Sequence, residues 1–151
     1  KLDDDHHIVL VNPSNMGNLG TIIRSSLGFN IKNIAIIKPG VDFFDPKVIR
    51  ASMGAIFSCN ICYFSTFEEY VKAFPNHQIY TFMLQKKNTL QSISFEQNKH
   101  CSLVFGNESS GLDDSFLKFE SIIIEHSKEI DSLNLPSSVA ISLYEFRKQV
   151  K

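Results

Sequence analysis

No run of 18 consecutive apolar residues occurs in this chain, so nothing in it reads as a membrane-spanning helix. Charge of one sign is also missing. Lys and Arg number 15 against 16 Asp and Glu, a formal net charge of -1, which excludes a strongly basic nucleic-acid module and still allows a local basic patch. Cysteine is scarce and odd in number: Cys59, Cys62 and Cys101. That count does not build a disulfide framework and suits a reduced, cytoplasmic setting. Cys59 and Cys62 form a C-x-x-C, but no second pair completes a zinc set, so both read as structural cysteines and no metal site is expected. Glycine fingerprints are absent too. Gly17 and Gly20 do not make G-x-G-x-x-G, and no Gly-Lys-Ser/Thr marks a P-loop, which disfavours a small dinucleotide-binding enzyme. Internal repeats, linkers and low-complexity segments are lacking. No signal peptide is legible, the chain reads as soluble, and the absence of an initial Met leaves room for residues upstream.

What is present suits one packed domain. The chain has 151 residues, 43% of them hydrophobic, including 13 Phe. A chain of this size buries roughly 68–70% of its unfolded surface and needs no staples. The acidic leader with His6-His7 reads as a frayed or added terminus, with metal binding as the weaker alternative. Short apolar runs at 8–11, 33–37, 55–64, 78–84, 102–105 and 122–124 read as strands. Helices are expected over 20–29, 46–53, from a cap at Ser65 or Thr66 through Phe74, and over 136–149. Val139, Leu143, Phe146 and Val150 form the buried stripe of the last one. Alternating strands and helices predict an α/β fold: a parallel sheet flanked by helices on both faces. Ligands in such sheets bind beyond the carboxyl ends of the strands.

Three polar islands interrupt the apolar pattern. The first is Asn18-Leu19-Gly20-Thr21-Ile22-Ile23-Arg24, the second Gly106-Asn107-Glu108-Ser109-Ser110-Gly111-Leu112, and the third Ser132-Leu133-Asn134-Leu135-Pro136. Each follows a strand, so all three can meet at one sheet edge. Taken singly, each has a plain structural explanation. Arg24 can be a solvated helix arginine, Glu108 a turn residue, and Ser132 or Asn134 a helix cap ahead of Pro136. Asn18 is expected in the loop before the first helix.

Taken together, the islands resemble the three motifs of the SpoU (TrmH-like) branch of the SPOUT RNA methyltransferases. The first motif resembles Asn18-Leu19-Gly20 with Ile22-Ile23-Arg24, and the second Gly106-Asn107-Glu108 with Gly111-Leu112. The third resembles Ile124, then Ser132-Leu133-Asn134, ending in Tyr144-Glu145. The segment Arg50–Ala55 also looks like the family, and the resemblance covers about residues 8–150 in the family's order. It implies a methyltransferase domain over 8–151 after a disordered or added leader at 1–7, a homodimer, and a C-terminal trefoil knot. The implied reaction is methyl transfer from S-adenosylmethionine to a ribose 2′-OH in tRNA or rRNA, with S-adenosylhomocysteine as product.

The resemblance also implies residue roles. Arg24 matches the arginine assigned as base toward the 2′-OH. A guanidinium normally keeps its proton, so a second role, orienting the hydroxyl, stays open. Glu108 is expected to fix that guanidinium and Asn18 to orient it, while Asn134 and Ser132 shape the ribose and cofactor site. The cofactor is expected against Phe82, Met83, Leu84, Gly106, Ile124, Ser132 and Leu133. Lys47, Arg50, Lys86 and Lys87 are the candidate RNA contacts. The chain departs from the third motif at Glu125, His126 and Lys128, where the family has Ile-Pro-Met and a later Gly, and at Pro136, where Ser is common. These departures motivate the alternative of a catalytically inactive RNA-binding or dimerisation module with the same fold.

Overall fold

The computed structural model describes residues 1–85 and 88–151. Six parallel strands form one sheet in the order β3-β2-β1-β5-β4-β6. They are β1 (His7–Val11), β2 (Asn33–Ile37), β3 (Asn60–Phe64), β4 (Gln78–Phe82), β5 (Cys101–Phe105) and β6 (Glu120–Ile122). The helices are α1 (Met16–Gly28), α2 (Pro46–Ala51), α3 (Phe67–Ala73) and α4 (Leu135–Gln149). Alternation along the central strands explains the layers. Ile8, Leu10, Ile34 and Ile36 join one core with Ile22, Ile23, Val48, Val139, Leu143 and Phe146. Val9, Val11, Ala35 and Ile37 join the opposite core with Phe67, Tyr70 and Phe116. Helices α1, α2 and α4 therefore cover one face, and α3 with a 3₁₀ turn at Asp114–Lys118 covers the other. Strand order reverses between β1 and β5, the point at which such sheets open a crevice at their carboxyl edge.

Two helix contacts set the first face. A Cβ on Gly20 would lie 2.6 Å from the Val48 carbonyl oxygen and 2.5 Å from the Ala51 Cβ, so only glycine lets α1 approach α2 this closely. Arg147 of α4 donates to the carbonyls of Phe29 and Asn30, each at 2.8 Å. A cation thus satisfies carbonyls just past the end of α1, where the helix dipole favours it.

Several boundaries differ from those the sequence suggests. Helix α1 starts at Met16, because the Asn15 side chain accepts from the Asn18 N–H at 2.9 Å and caps it four residues early. Asn18 is therefore helical and not in the loop. The strand expected from Ala55 begins only at Asn60, where pairing with Asn33 starts. Residues Ala55–Ser58 form a 3₁₀ turn after Met53 and Gly54, both in the left-handed region. Cys59 packs toward the first core and Cys62 toward the second, so this C-x-x-C does not present two thiols to one ligand.

The leader is not frayed. Leu2 is buried, His7 opens β1 opposite Asn33, and the His6 Nδ1 accepts from the Cys101 N–H at 2.9 Å. Burying Leu2 removes apolar surface from water, and the adjoining backbone is tied down by Asp3, whose N–H donates to Asn33 at 2.9 Å. Among the described residues no helix is long and apolar enough to cross a membrane.

Candidate functional site

The loop after β5 is fastened to the loop after β1. Glu108 carries the junction. Its Oε1 accepts from the Ser14 N–H and the Ser14 hydroxyl, both at 3.0 Å, and its Oε2 accepts from the Asn15 N–H at 3.0 Å. Burial opposes ionisation of Glu108, but the bonds from Ser14, its own N–H and Asn15 outweigh it and hold the carboxyl below its ordinary range. Asn107 adds a second tie, donating to the Asn12 carbonyl at 2.8 Å and accepting from the N–H groups of Ser109 and Ser110. The loop closes on itself through a Gly111 N–H bond to the Asn107 carbonyl at 2.9 Å. A Cβ on Gly106 would stand 2.3 Å from the Gly111 carbonyl carbon, so the tight closure requires glycine there.

Beside this junction lies a cleft of about 220 Å³. Its walls come from Phe82–Gln85 after β4, Phe105–Leu112 at the end of β5, Ile122–Ile124 at the end of β6, and the approach to α4 at Ser132, Leu133, Leu135 and Ser138. Phe82 and Phe105 stack with ring centroids 4.4 Å apart and form an apolar floor. Aliphatic side chains, hydroxyls and backbone groups make the rim. That mixture suits a ligand with a flat heterocycle and a short polar tail, bound largely through backbone.

All seven residues expected to meet the cofactor line this cleft: Phe82, Met83, Leu84, Gly106, Ile124, Ser132 and Leu133. Glu108 lines it as well. Asn18, Arg24 and Asn134 do not. Arg24 is exposed on α1, and among the described residues it has no hydrogen bond or ion pair. Glu108 therefore does not hold the Arg24 guanidinium within the chain; its oxygens face Ser14 and Asn15 instead. With both helical, Asn18 and Arg24 stand about 120° apart around α1 and roughly 9 Å apart along it, so Asn18 does not orient that guanidinium within the chain either. Asn134 caps α4, its Oδ1 accepting from the Ser137 N–H at 3.0 Å, and Pro136 occupies the second helical position. Lys47 and Arg50 are exposed on α2, which the close contact at Gly20 sets against α1 and its exposed Arg24. Lys86 and Lys87 lie outside the described residues.

His126, a departure from the motif, has a structural function. Its ring nitrogens lie 2.7 Å from the Ile124 carbonyl and 3.2 Å from that of Asp131, which folds the 124–131 segment back at the cleft wall. The supporting residues Asn12, Ser14, Asn15 and Asn107 were legible only as loop polarity. The one local signal was an Asn run after a buried strand, since Asn tolerates the left-handed conformation seen at Asn12 (φ 56).

Comparison with known proteins agrees with this architecture. The family model described as the SpoU rRNA Methylase family matches residues 5–144. A Synechocystis tRNA/rRNA methyltransferase, itself uncharacterised, is 28% identical over 94% of this chain and 53% of its own length. A Mycoplasma pneumoniae protein, provisionally named a tRNA (cytidine(34)-2′-O)-methyltransferase, is 29% identical over 95% of this chain and 90% of its own length. Among solved structures, an S-adenosylmethionine-bound rRNA methyltransferase from Sinorhizobium meliloti superimposes with a TM-score of 0.86 at 27% identity, covering 95% of this chain and 56% of that one. A structure concerned with 2′-OH methylation of C/U34 on tRNA gives a TM-score of 0.87 at 25% identity, covering 97% and 96%. The match spans nearly the whole chain and includes all three islands, so the chain belongs to the SpoU methylase family.

Proposed function

We propose that this protein methylates a ribose 2′-OH in RNA, using S-adenosylmethionine held in the cleft at the carboxyl edge of the sheet. The observation that carries the proposal is the convergence of the loops after β4, β5 and β6 and the approach to α4 on one apolar-floored cleft. When bound, S-adenosylmethionine supplies a methyl group already activated by its sulfonium sulfur. The protein's share is then alignment, which is potentially about 7–11 kcal/mol. Phe82 and Phe105 give a flat apolar surface, and the closed 106–112 loop fixes one wall. Ser132 and Leu133 bound the side from which a ribose would enter.

Arg24 is the group that meets the 2′-OH or its neighbouring phosphate. A guanidinium offers donors and no acceptor, so Arg24 orients the hydroxyl by donating to it. Arg24 lies outside the cleft lining, which fits a homodimer in which one copy's α1 faces the other's cleft. Exposed Ile141 and Tyr144 on α4 give that second copy an apolar surface. Family membership supports the C-terminal trefoil knot, and three free cysteines support a cytoplasmic setting. Lys47 and Arg50 on α2 extend the RNA surface beside Arg24, which makes binding salt-dependent.

Several relatives that match over nearly both lengths are named for tRNA, and we assign the substrate to tRNA on that basis, at the nucleotide 34 ribose. Mapping 2′-O-methyl sites in RNA from cells with and without the gene tests this. A site lost only from tRNA supports the assignment. A site lost from rRNA redirects it, and an unchanged map with RNA still bound points to an inactive binding module.

A further inference from the structure

The amino edge of the sheet, opposite the cleft, holds a chain of polar side chains that methyl transfer does not use. Its members are His7, Tyr70, Ser102, His77, Asp4 and His100. The contacts are His7 Nε2 to the Asp3 carbonyl at 2.7 Å, His7 Nδ1 to the Tyr70 hydroxyl at 2.7 Å, and Tyr70 to the Ser102 hydroxyl at 2.5 Å. They continue from Ser102 to His77 Nδ1 at 2.9 Å, and from His77 Nε2 to Asp4 Oδ1 at 2.9 Å. Asp4 Oδ1 is also 3.5 Å from His100 Nδ1.

The Asp3 carbonyl accepts from His7 Nε2, and the Tyr70 and Ser102 hydroxyls link His7 Nδ1 to His77 Nδ1. The His77 ring is thereby fixed with its Nε2 turned toward Asp4 Oδ1 at 2.9 Å, and the same oxygen lies 3.5 Å from His100 Nδ1. Two imidazole nitrogens and one carboxylate oxygen, from three separate chain segments, thus converge on one point.

We propose that Asp4, His77 and His100 bind one divalent transition-metal ion of the zinc class. The three ligand atoms lie within 4.8 Å of one another. Tetrahedral ligand atoms at about 2.0–2.1 Å from zinc sit roughly 3.3 Å apart, between the two separations seen here. Two imidazoles with one carboxylate suit zinc, nickel or cobalt better than calcium or magnesium. Ser102 supplies the outer partner, since the ring N–H of a metal-bound histidine is held by an acceptor that fixes its tautomer. His77 directly precedes β4 and His100 directly precedes β5, while Asp4 lies on the segment entering β1. The ion therefore staples three chain segments at the edge remote from the cleft. It is a structural site and does not depend on the methyl-transfer reading.

The test is calorimetric titration of Zn²⁺ into the full chain, freed of any polyhistidine tag and stripped with chelator. The expected result is one ion per chain, a raised melting temperature, and a tetrahedral absorption spectrum with Co²⁺. Asp4→Asn and His100→Ala alter exposed side chains and keep the metal-free melting temperature, so their folding is checked by it. Each should weaken Zn²⁺ binding by at least about tenfold. A Cys59→Ser, Cys62→Ser double variant should bind as the unaltered chain does. No binding by the unaltered chain, undiminished binding by both site variants, or loss in the cysteine variant would overturn the proposal.

Discussion

The two edges of one sheet treat polar side chains in opposite ways. At the carboxyl edge they fasten backbone. Glu108 takes three donors from Ser14 and Asn15, Asn107 ties residues 106–112 to Asn12, and what remains open is a cleft with an apolar floor. At the amino edge they bond to one another. His7, Tyr70, Ser102 and His77 form a hydrogen-bonded row that ends at Asp4, where two imidazoles face one carboxylate. A carboxylate filled by backbone donors builds a rigid wall for a ligand held by backbone, whereas imidazoles converging on a carboxylate have the makings of a ligand set. The same residue types thus serve scaffold at one edge and site at the other, and the partners of each carboxylate separate them.

The sharpest break of this contrast is Arg24→Ala. If Arg24 orients the reacting hydroxyl from outside the cleft, single-turnover methyl transfer falls about 100-fold or more, while calorimetric S-adenosylmethionine affinity is unchanged. Equal loss of both would place Arg24 in the cofactor site. Next in size is Gly106→Ala. The added methyl meets the Gly111 carbonyl carbon at 2.3 Å, so the loop shifts and cofactor affinity drops by about tenfold, or ~1.4 kcal/mol.

The Glu108 junction gives a pH signature. Its carboxyl is held below the unfolded value of about 4.3. Its contribution to stability is therefore fully present above that pH and is lost as pH falls through the lower folded value. Melting temperatures of Glu108→Gln should decline less steeply below pH ~4.3 than those of the unaltered chain. The smallest effect is expected for Asn134→Ala, which removes a helix cap and costs ~1 kcal/mol in denaturant unfolding. A fall in methyl transfer larger than the fall in stability would return Asn134 to the ribose site.

Local periodicity carried most of the fold. β2 has the bounds its apolar run suggests, and Val139, Leu143, Phe146 and Val150 are all buried along α4 and its end, because a stripe at helical spacing has one way to leave water. The cleft wall was legible for a related reason: Phe82 ends β4 and Gly106 directly follows β5, and strand ends of a parallel sheet share one edge. Contacts between distant segments were not legible. Asp4 and His77 are 73 residues apart, and no spacing rule joins them until β1, β4 and β5 are assembled. Glu108 is 94 residues from Ser14, and its identity as a fastener depends on which loop lies opposite. Ala55–Ser58 looked like strand because Ala55 and Ile56 are buried, yet pairing with β2, not burial, decides where β3 begins.

The most direct measurement is transfer of labelled methyl from S-adenosylmethionine to tRNA by the full chain, followed by alkaline hydrolysis. A 2′-O-methyl group blocks cleavage at its own nucleotide, so the label is predicted in an alkali-resistant dinucleotide, and Arg24→Ala should abolish it. Label released as a single nucleotide would contradict ribose methylation, and no label in tRNA or rRNA from a folded, cofactor-binding chain would contradict the enzyme itself.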